Sequence, residues 1–439
     1  MSSSIRDRRC AGRSADRLAD RDLLRGVTTL HGGVGLLTAV WGAGLPEIDA
    51  RVDLGPARLG LLLLMLALGA AVAMPLAGWL ARRRSDAAVL RIALPAAGLV
   101  LAVIGAMPDA EPMFVLAVVF GLCCGGVNVG LTAQAAEAER RAGRPVIARM
   151  HGCWTLGAVA GASLLAAMLR AGADGRILLP GAALGTGLLL ALVAVRLPEA
   201  RVATPASPRI TGAPERRVSR DAGGTAGPVL LGAGAVAAAA FVVEGAATDW
   251  AGIHATRVLG AEPAAGAALY AVFFAAMTAV RFAGDHLRAR VAAPALVVAA
   301  AAATVLGFVL VLLSPAVAEG ARLPVAGSGW ALAGAGSALV WPIVIGGLGA
   351  AVVDPARLSV VTTIGYLGGF VGPVLMGGIA AGAGVDGAMV LPTALAVLLG
   401  LAAPSLVARL LRLAPSVPGG AGAPAPSAPV HPQPTTPAE

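Results

Sequence analysis

The sequence predicts an all-α polytopic membrane protein, and three observations lead to that fold class. The chain has 439 residues, of which 57% are hydrophobic and only 13% charged. One soluble core cannot bury that much apolar surface. The apolar residues form long runs separated by short polar breaks, and about twelve runs reach the ~20 residues that a membrane-spanning helix needs. These run lengths indicate helices and not a barrel.

Each run defines one predicted span. In chain order the predicted spans cover residues 26–45, 59–81, 88–107, 112–133, 150–170, 178–196, 229–250, 264–283, 293–313, 325–345, 358–382 and 387–408. An even number of spans places both termini on the same side of the membrane.

The basic residues indicate which side that is. The basic residues are all arginines, and with the termini inside, all but six of the 33 fall in tails or inner loops; the six are Arg51, Arg58, Arg170, Arg176, Arg257 and Arg322. Positive residues collect on the cytoplasmic side, so we expect cytoplasmic termini in a bacterial inner membrane.

The arginines also explain the pI near 10.9. A nucleic-acid surface would need a soluble domain to carry it, and we predict no such partner.

The polar breaks divide the chain into five regions. We predict a basic cytoplasmic tail over 1–25, a six-helix bundle over 26–196, a cytoplasmic linker over 197–227, a second bundle over 228–408, and a disordered Pro/Ala-rich tail over 409–439. Recurring signals favour duplication of one bundle. They are Gly157 and Gly161 in span five, Gly368 and Gly372 in span eleven, and the tryptophans that close spans one and seven, Trp41 and Trp250.

Two loops carry a family resemblance. The segments GWLARRRSD and RFAGDHLRAR, which follow spans two and eight, resemble the Gly-x-x-x-Asp-Arg signature of the major facilitator superfamily. WGAGLPEI, EGAATDW and GYLGGFVGP are similar to its MosC/YbjJ-like branch. The resemblance implies the major facilitator fold, with two pseudo-symmetric six-helix bundles and alternating access to a central site. It also implies a small polar solute that is sugar-like or inositol-like.

The same signature suggests an inner gate. The second loop keeps the acidic position as Asp285, whereas the first has Arg82 there. Arg281 precedes Asp285 by one helical turn. Glu137 and Arg141 share a helix face at i,i+4 in another inner loop. We expect these five residues to act in gating, although a solvated loop would carry the same pair.

Glu244, in the stretch FVVEGAATDW, is the acidic residue that we place well inside a span. Charge there costs at least about 2.5–3.5 kcal/mol, so Glu244 should be paired, protonated or in contact with water. We predict that it couples transport to protons; the alternative is a structural residue that ties helix seven to a neighbour. Asp249 is expected near the end of the same span, where it would cap the helix or make structural hydrogen bonds.

The resemblance places helices one, four, seven and ten around the cavity. Helix rise puts three aromatic residues near the depth of Glu244 and three further polar or aromatic residues nearer the inner end. We predict substrate binding by these two layers, which are Trp41, Tyr270 and Trp330, and then His31, Asn128 and Trp341. The alternative for the tryptophans is an aromatic belt, for His31 a structural role, and for Asn128 a hydrogen bond between helices.

The leading functional hypothesis is a secondary transporter coupled to protons, with a small-molecule substrate, the lipid bilayer as its surroundings and a monomeric state. Drug or metabolite efflux by proton antiport is one alternative. A non-transporting membrane sensor or scaffold built on a transporter fold is another. We expect no enzyme, cofactor or metal site, because no span pairs a nucleophile with a base or groups metal ligands. The lack of a Gly-x-x-x-x-Gly-Lys motif disfavours direct use of ATP.

Overall fold

The structure is a computed structural model that describes the backbone of residues 2–144, 146–198, 223–351 and 355–413. Side chains are described from residue 20 onward, without those of 145, 199–226, 285, 345–346, 349–359, 362, 366 and 413. Most of the predicted linker and the tail beyond residue 413 lie outside these ranges.

The regular elements in the described ranges are helices. Their bounds are α1 Ser2–Gly42, α2 Leu45–Val52, α3 Gly55–Arg83, α4 Asp86–Ala106, α5 Glu111–Ala142, α6 Ile147–Arg170, α7 Gly175–Ala194, α8 Gly223–Arg257, α9 Pro263–Arg290, α10 Ala293–Leu313, α11 Glu319–Ala351, α12 Pro355–Ala388 and α13 Val390–Leu413. Twelve segments are long and apolar enough to cross a membrane, with α1 and α2 together forming the first, Asp20–Val52. The predicted fold class is confirmed.

Short-range signals set several helix ends. Ser85 accepts a hydrogen bond from the Ala88 amide and caps α4, and Asp174 does the same for α7 through the Arg176 amide. These side chains satisfy amides that the first helical turn leaves unpaired. Gly143 ends α5 in a left-handed conformation with φ of 61°. Glycine adopts that conformation without the steric cost of a Cβ.

The two halves of the chain repeat one packing pattern. Helix α1 packs on α6 as α8 packs on α12, α3 on α5 as α9 on α11, and α4 on α7 as α10 on α13. The predicted glycine pairs explain the first of these. A Cβ on Gly157 would collide with Gly32 of α1, and a Cβ on Gly368 would collide with Ala238 of α8. Small residues let these helix backbones approach closely in the membrane.

We call the end of the bundle where α1 begins and α13 ends the termini side, and the opposite end the far side. The halves pack on each other mainly through α6 against α9 and α3 against α12. The α3–α12 contact is a backbone contact, because a Cβ on Gly60 would lie 2.6 Å from the Gly377 Cα. The six arginines that the sequence analysis placed outside the tails and inner loops, such as Arg58 and Arg257, lie at far-side helix ends.

Helix α8 differs from its prediction and corrects two expectations. The predicted span ends at 250, whereas α8 continues for two more turns to Arg257 because this segment packs against Pro46 of α2 through Gly252. Asp249 therefore lies within the helix and does not cap its end, so Glu244 is not alone among acidic residues inside a span. Within the span Gly227–Arg257, Glu244 lies ~26 Å from Gly227 and ~20 Å from Arg257, near the middle of the helix.

Candidate functional site

One face of α9 is directed at the first half. Four residues of this face follow each other at three- and four-residue steps, which places them on one side of the helix. They are Tyr270, Phe274, Met277 and Arg281. Tyr270 lies against Gly42 of α1, because a Cβ on that glycine would meet the Tyr270 ring. Phe274 packs edge-on against Trp154 of α6, with ring centroids 5.7 Å apart. The stripe carries Arg281 into the interface between the halves.

Arg281 faces Glu244. The Arg281 Nη2 atom is 4.0 Å from Glu244 Oε2, and the side chains are 24% and 30% exposed. This distance is at the limit of an ion pair and too long for a hydrogen bond. The sequence placed Arg281 among gating residues of an inner loop, and the structure places it beside the candidate coupling carboxylate. The structural alternative for Glu244, a tie to a neighbouring helix, also has its partner here.

Two histidines of the first half stand near this pair. The rings of His31 on α1 and His151 on α6 meet edge to face, with centroids 5.6 Å apart. His31 is 3% exposed, and its Nδ1 lies 2.8 Å from the Val27 carbonyl oxygen. A carbonyl oxygen can only accept, so Nδ1 carries the proton and Nε2 of the neutral ring is free to accept another. Arg281 is within electrostatic range of His151.

We name His31, His151, Glu244 and Arg281 the central polar cluster. It takes two members from each half, so relative motion of the halves must change distances within it. The sequence analysis missed His151. The available signal was a histidine in the first turn of predicted span five, at the edge of an apolar run.

A small cavity adjoins Glu244 inside the second half. It has a volume of about 20 Å³, enough for one water molecule. Its polar lining is Glu244, Thr304, Ser337 and Trp341. Trp341 also packs on Phe241 of α8, with ring centroids 5.5 Å apart. Among the predicted substrate residues, Trp341 is thus the one that the structure brings to Glu244.

The other predicted substrate residues occupy different surroundings. Trp41 packs on Phe120 and Trp330 packs between His254 and Phe308, each within its own half. Trp330 is fully buried, so it does not stand across an open space from Glu244. Tyr270 is also buried, at the boundary between the halves. Asn128 is exposed and lies 3.4 Å from the Thr132 hydroxyl.

The predicted gating residues do not join the halves among the described side chains. Glu137 pairs with Arg140 and Arg141, and Arg141 lies 3.6 Å from Asp20, all within the first half. Arg82 is exposed at the end of α3. Asp285 lies on α9, and its side chain falls outside the described residues. Across the described residues, no ion pair links the halves on the termini side.

The far side has such a link. Arg257 of α8 donates to both carboxylate oxygens of Asp49 at 2.6 and 2.9 Å, and to Asp53 at 2.8 Å. Asp49 is 2% exposed and also accepts from the Gly55 amide. A two-point contact of this kind is among the stronger ion pairs in proteins. The far side is therefore closed, by what we call the far-side ion pair.

Twelve spans in two matching halves, with a polar cluster between them and one end closed, define a membrane transporter. The chain belongs to the Major Facilitator Superfamily, whose family model matches residues 30–347. This confirms the family that the loop signatures suggested. Proteins of this family are transporters, which are not enzymes, and the same holds for this chain.

One sequence relative and two solved structures illustrate these similarities. The chain is 28% identical over 375 residues to the membrane protein MosC of Rhizobium meliloti, which covers 84% of this chain and 86% of MosC. Its fold is similar to a solved variant of the nucleoside transporter NupG, with a TM-score of 0.68, 14% identity and coverage of 88% and 99%. A solved D-xylose-proton symporter gives a TM-score of 0.67, 14% identity and coverage of 90% and 98%. At 14% identity these structures show the fold alone.

Proposed function

We propose that the protein is a secondary active transporter that moves a small polar solute across the cytoplasmic membrane by alternating access and couples this movement to protons. The observation that carries the proposal is the central polar cluster, whose charged and titratable groups are divided between two halves that can move relative to each other. Family membership supports transport as such. The solved D-xylose-proton symporter is an example of a proton-coupled sugar transporter with this fold.

Alternating access requires two states that differ in which end is closed. In the described state the far-side ion pair joins α2 to α8, and the backbones of α3 and α12 touch at Gly60 and Gly377. No ion pair of the described residues closes the termini side. We infer that a solute enters or leaves through the termini side in this state, and that the far-side contacts separate in the other.

Proton coupling is assigned to Glu244. A ligand shifts an equilibrium between two states only by the difference of its affinities for them, so the surroundings of a coupling carboxylate must change with the state. Arg281 provides that difference. An ionised Glu244 attracts Arg281 across 4.0 Å, whereas a protonated Glu244 leaves the guanidinium free to turn toward His151 or a bound solute. His31 can accept a proton at Nε2 beside this path.

Solute recognition is assigned to Trp341 and Ser337 beside Glu244 and to Asn128 on α5 of the first half. Trp341 and Ser337 line the cavity at Glu244, and Asn128 offers an exposed amide on α5. Hydroxyl groups of a sugar or an inositol can hydrogen-bond to an amide and a hydroxyl, while its apolar ring face packs on an indole. Tyr270 closes this region toward the far side through its contact with Gly42.

The orientation of the protein is part of the proposal. We infer that the termini side is cytoplasmic, because arginines concentrate there and only six basic residues belong to far-side ends. A cysteine tag at residue 430 should react with a membrane-impermeant thiol reagent only after the cells are broken. Labelling in intact cells would reverse the orientation.

The experiment that tests the function begins with purified protein. A screen of sugars, inositols, nucleosides, amino acids and drugs should identify a ligand that raises the melting temperature, because binding to the folded state stabilises it by mass action. The ligand is then offered to proteoliposomes with and without an imposed pH gradient. Accumulation that requires the gradient supports the proposal. A ligand that binds without any flux would favour a sensor, and flux that ignores the pH gradient would refute proton coupling.

A further inference from the structure

A second cavity lies on the termini side, between α1, α6 and the loop that joins α5 to α6. Its volume is about 280 Å³. The polar and ionisable side chains that line it are Arg25, Thr28, Thr29, Arg144, Arg149 and Cys153. We name it the arginine cavity. Among the described residues, its lining has three guanidinium groups and no carboxylate.

The arginine cavity is separate from the central polar cluster. Arg149 and Cys153 flank His151 on α6 at a spacing of two residues, which is about 200° around the helix. Thr29 and His31 have the same spacing on α1. The two helices therefore direct their histidines to one side and the arginine cavity to another. The inference does not rest on the proposed transport function.

The three arginines are unneutralised, whereas other termini-side arginines have partners. In the described part of the chain, Arg25, Arg144 and Arg149 make no ion pair and no hydrogen bond. By contrast, Arg141 pairs with Glu137, and Arg91 donates to the Ala194 and Leu197 carbonyls. The three arginines are exposed and line one cavity, and a bound anion would interact favourably with all three.

Glu139, the acidic residue that precedes this loop, accepts hydrogen bonds from backbone amides. The Glu139 carboxylate accepts hydrogen bonds from the amides of Val146 and Ile147, at 2.8 and 3.1 Å. These bonds cap the start of α6 and fix the loop that carries Arg144. The loop is therefore held in place by Glu139, whose side chain does not line the arginine cavity.

Helix packing explains why a cavity forms here. Deeper in the bundle, α1 and α6 touch at Gly32 and Gly157, where a Cβ would find no room. Arg25 lies seven residues nearer the helix start, about 10 Å away along α1. Away from the glycine contact the two helices carry larger side chains and separate, which leaves the space between them.

The depth of the cavity matches the membrane interface. Arg25 lies five residues inside the first span, which begins at Asp20, and Arg149 lies two residues after the start of α6. Guanidinium groups bind phosphate oxygens through paired N–H donors, and basic pockets between spanning helices bind lipid headgroups. The volume exceeds that of a bare phosphate and leaves room for the groups esterified to it.

We propose that the arginine cavity binds a phosphate group, held by Arg25, Arg144 and Arg149 with the Thr29 hydroxyl. At the membrane interface the phosphate source is an anionic phospholipid; free phosphate would satisfy the same donors. The two sources differ in whether the bilayer supplies the ligand.

Cys153 provides a direct test because it lines the cavity. The full chain is prepared with Cys10→Ser, Cys123→Ala and Cys124→Ala, so that Cys153 is the remaining thiol, and its alkylation rate is measured in detergent. We expect phosphatidylglycerol to slow alkylation, phosphatidylcholine to leave it unchanged, and inorganic phosphate to act only at far higher concentration. Protection by phosphate as strong as by phosphatidylglycerol would identify free phosphate as the ligand of the same site.

Arginine variants show whether the cavity is responsible. Each surface arginine contributes about 1 kcal/mol to the binding of an anionic lipid, so Arg25→Gln/Arg144→Gln/Arg149→Gln should weaken protection roughly 100-fold. Arg144→Gln alone should weaken the protection about fivefold. Because Arg144 lies in a loop, this single variant can replace the triple variant if the triple variant does not fold. Arg288→Gln/Arg290→Gln, which alters exposed arginines at the end of α9, is the matched control. No protection by either ligand, or equal protection in all variants, would overturn the proposal.

Discussion

At the scale of single residues, Glu244 shows what a sequence can and cannot reveal about a site. A carboxylate in an apolar run stands out by its cost, and this marked Glu244 without any structure. Its partner could not be found in the same way, because Arg281 lies 37 positions away and close to an arginine-rich loop. Only the packing of α8 beside α9 places the two side chains 4.0 Å apart.

The length of this contact leads to a prediction about its strength. In a double-mutant cycle of Glu244→Gln and Arg281→Gln, we expect a coupling free energy below about 1 kcal/mol, because the atoms are too far apart for a hydrogen bond. Denaturant unfolding of the purified variants gives the measurement. The cycle of Asp49→Asn and Arg257→Gln is the comparison and should give a larger value. A larger coupling for Glu244 and Arg281 would indicate a fixed structural pair.

At the scale of elements, α8 links the centre of the protein to its far side. It carries Glu244 near its middle and Arg257 at its end. The sequence pattern ended this helix at Trp250, because His254 and Arg257 read as polar interfacial residues. Contacts with α2 extend the helix, and contacts between distant segments are not visible in local hydrophobicity. For the same reason the far-side ion pair was not predicted.

Arg257→Gln should open the far side. It leaves the buried Asp49 without its main counterion and destabilises the closed state by about 1–3 kcal/mol, or about 5–150-fold in the ratio of the two states. Spin labels at Asp109→Cys and Glu262→Cys, in a background without the native cysteines, report the distance between the halves. A population at longer distance is expected.

The matched control is Arg58→Gln. Arg58 pairs with Glu111 on the same side of the protein but within the first half. This variant should leave the label distances unchanged. If both variants behave alike, the far-side ion pair does not determine which end is closed.

The contact of α3 with α12 gives a second prediction for the far side. A valine at 377 would collide with Gly60 of the other half, whereas its neighbour Gly378 has open space around its position. Gly377→Val should therefore shift the same spin-label distances to longer values, and Gly378→Val should not. Unchanged distances in Gly377→Val would mean that α3 and α12 can close without this contact.

At the scale of the whole molecule, hydrophobic run lengths predicted the number of spans, and the recurring glycine pairs predicted that the two halves repeat one bundle. These features are local in sequence or repeat between the halves. The central polar cluster is neither, since its two pairs form between separate helices, α1 with α6 and α8 with α9, and the pairs come together only when the halves assemble. The termini-side gating residues were assigned from loop signatures and stay a prediction, because the ion pair that the structure describes between the halves lies on the far side, among Arg257, Asp49 and Asp53.

Transport by Glu244→Gln tests the account most directly, because this substitution keeps the shape of the side chain and removes its charge. Wild-type protein, Glu244→Gln and the control Glu319→Gln, which alters an exposed residue at the start of α11, are placed in proteoliposomes. We expect all three to exchange labelled for unlabelled solute, since exchange needs only alternating access. We also expect Glu244→Gln to lose accumulation driven by a pH gradient. If Glu244→Gln still accumulates solute with the wild-type pH dependence, Glu244 is structural and protons are coupled elsewhere.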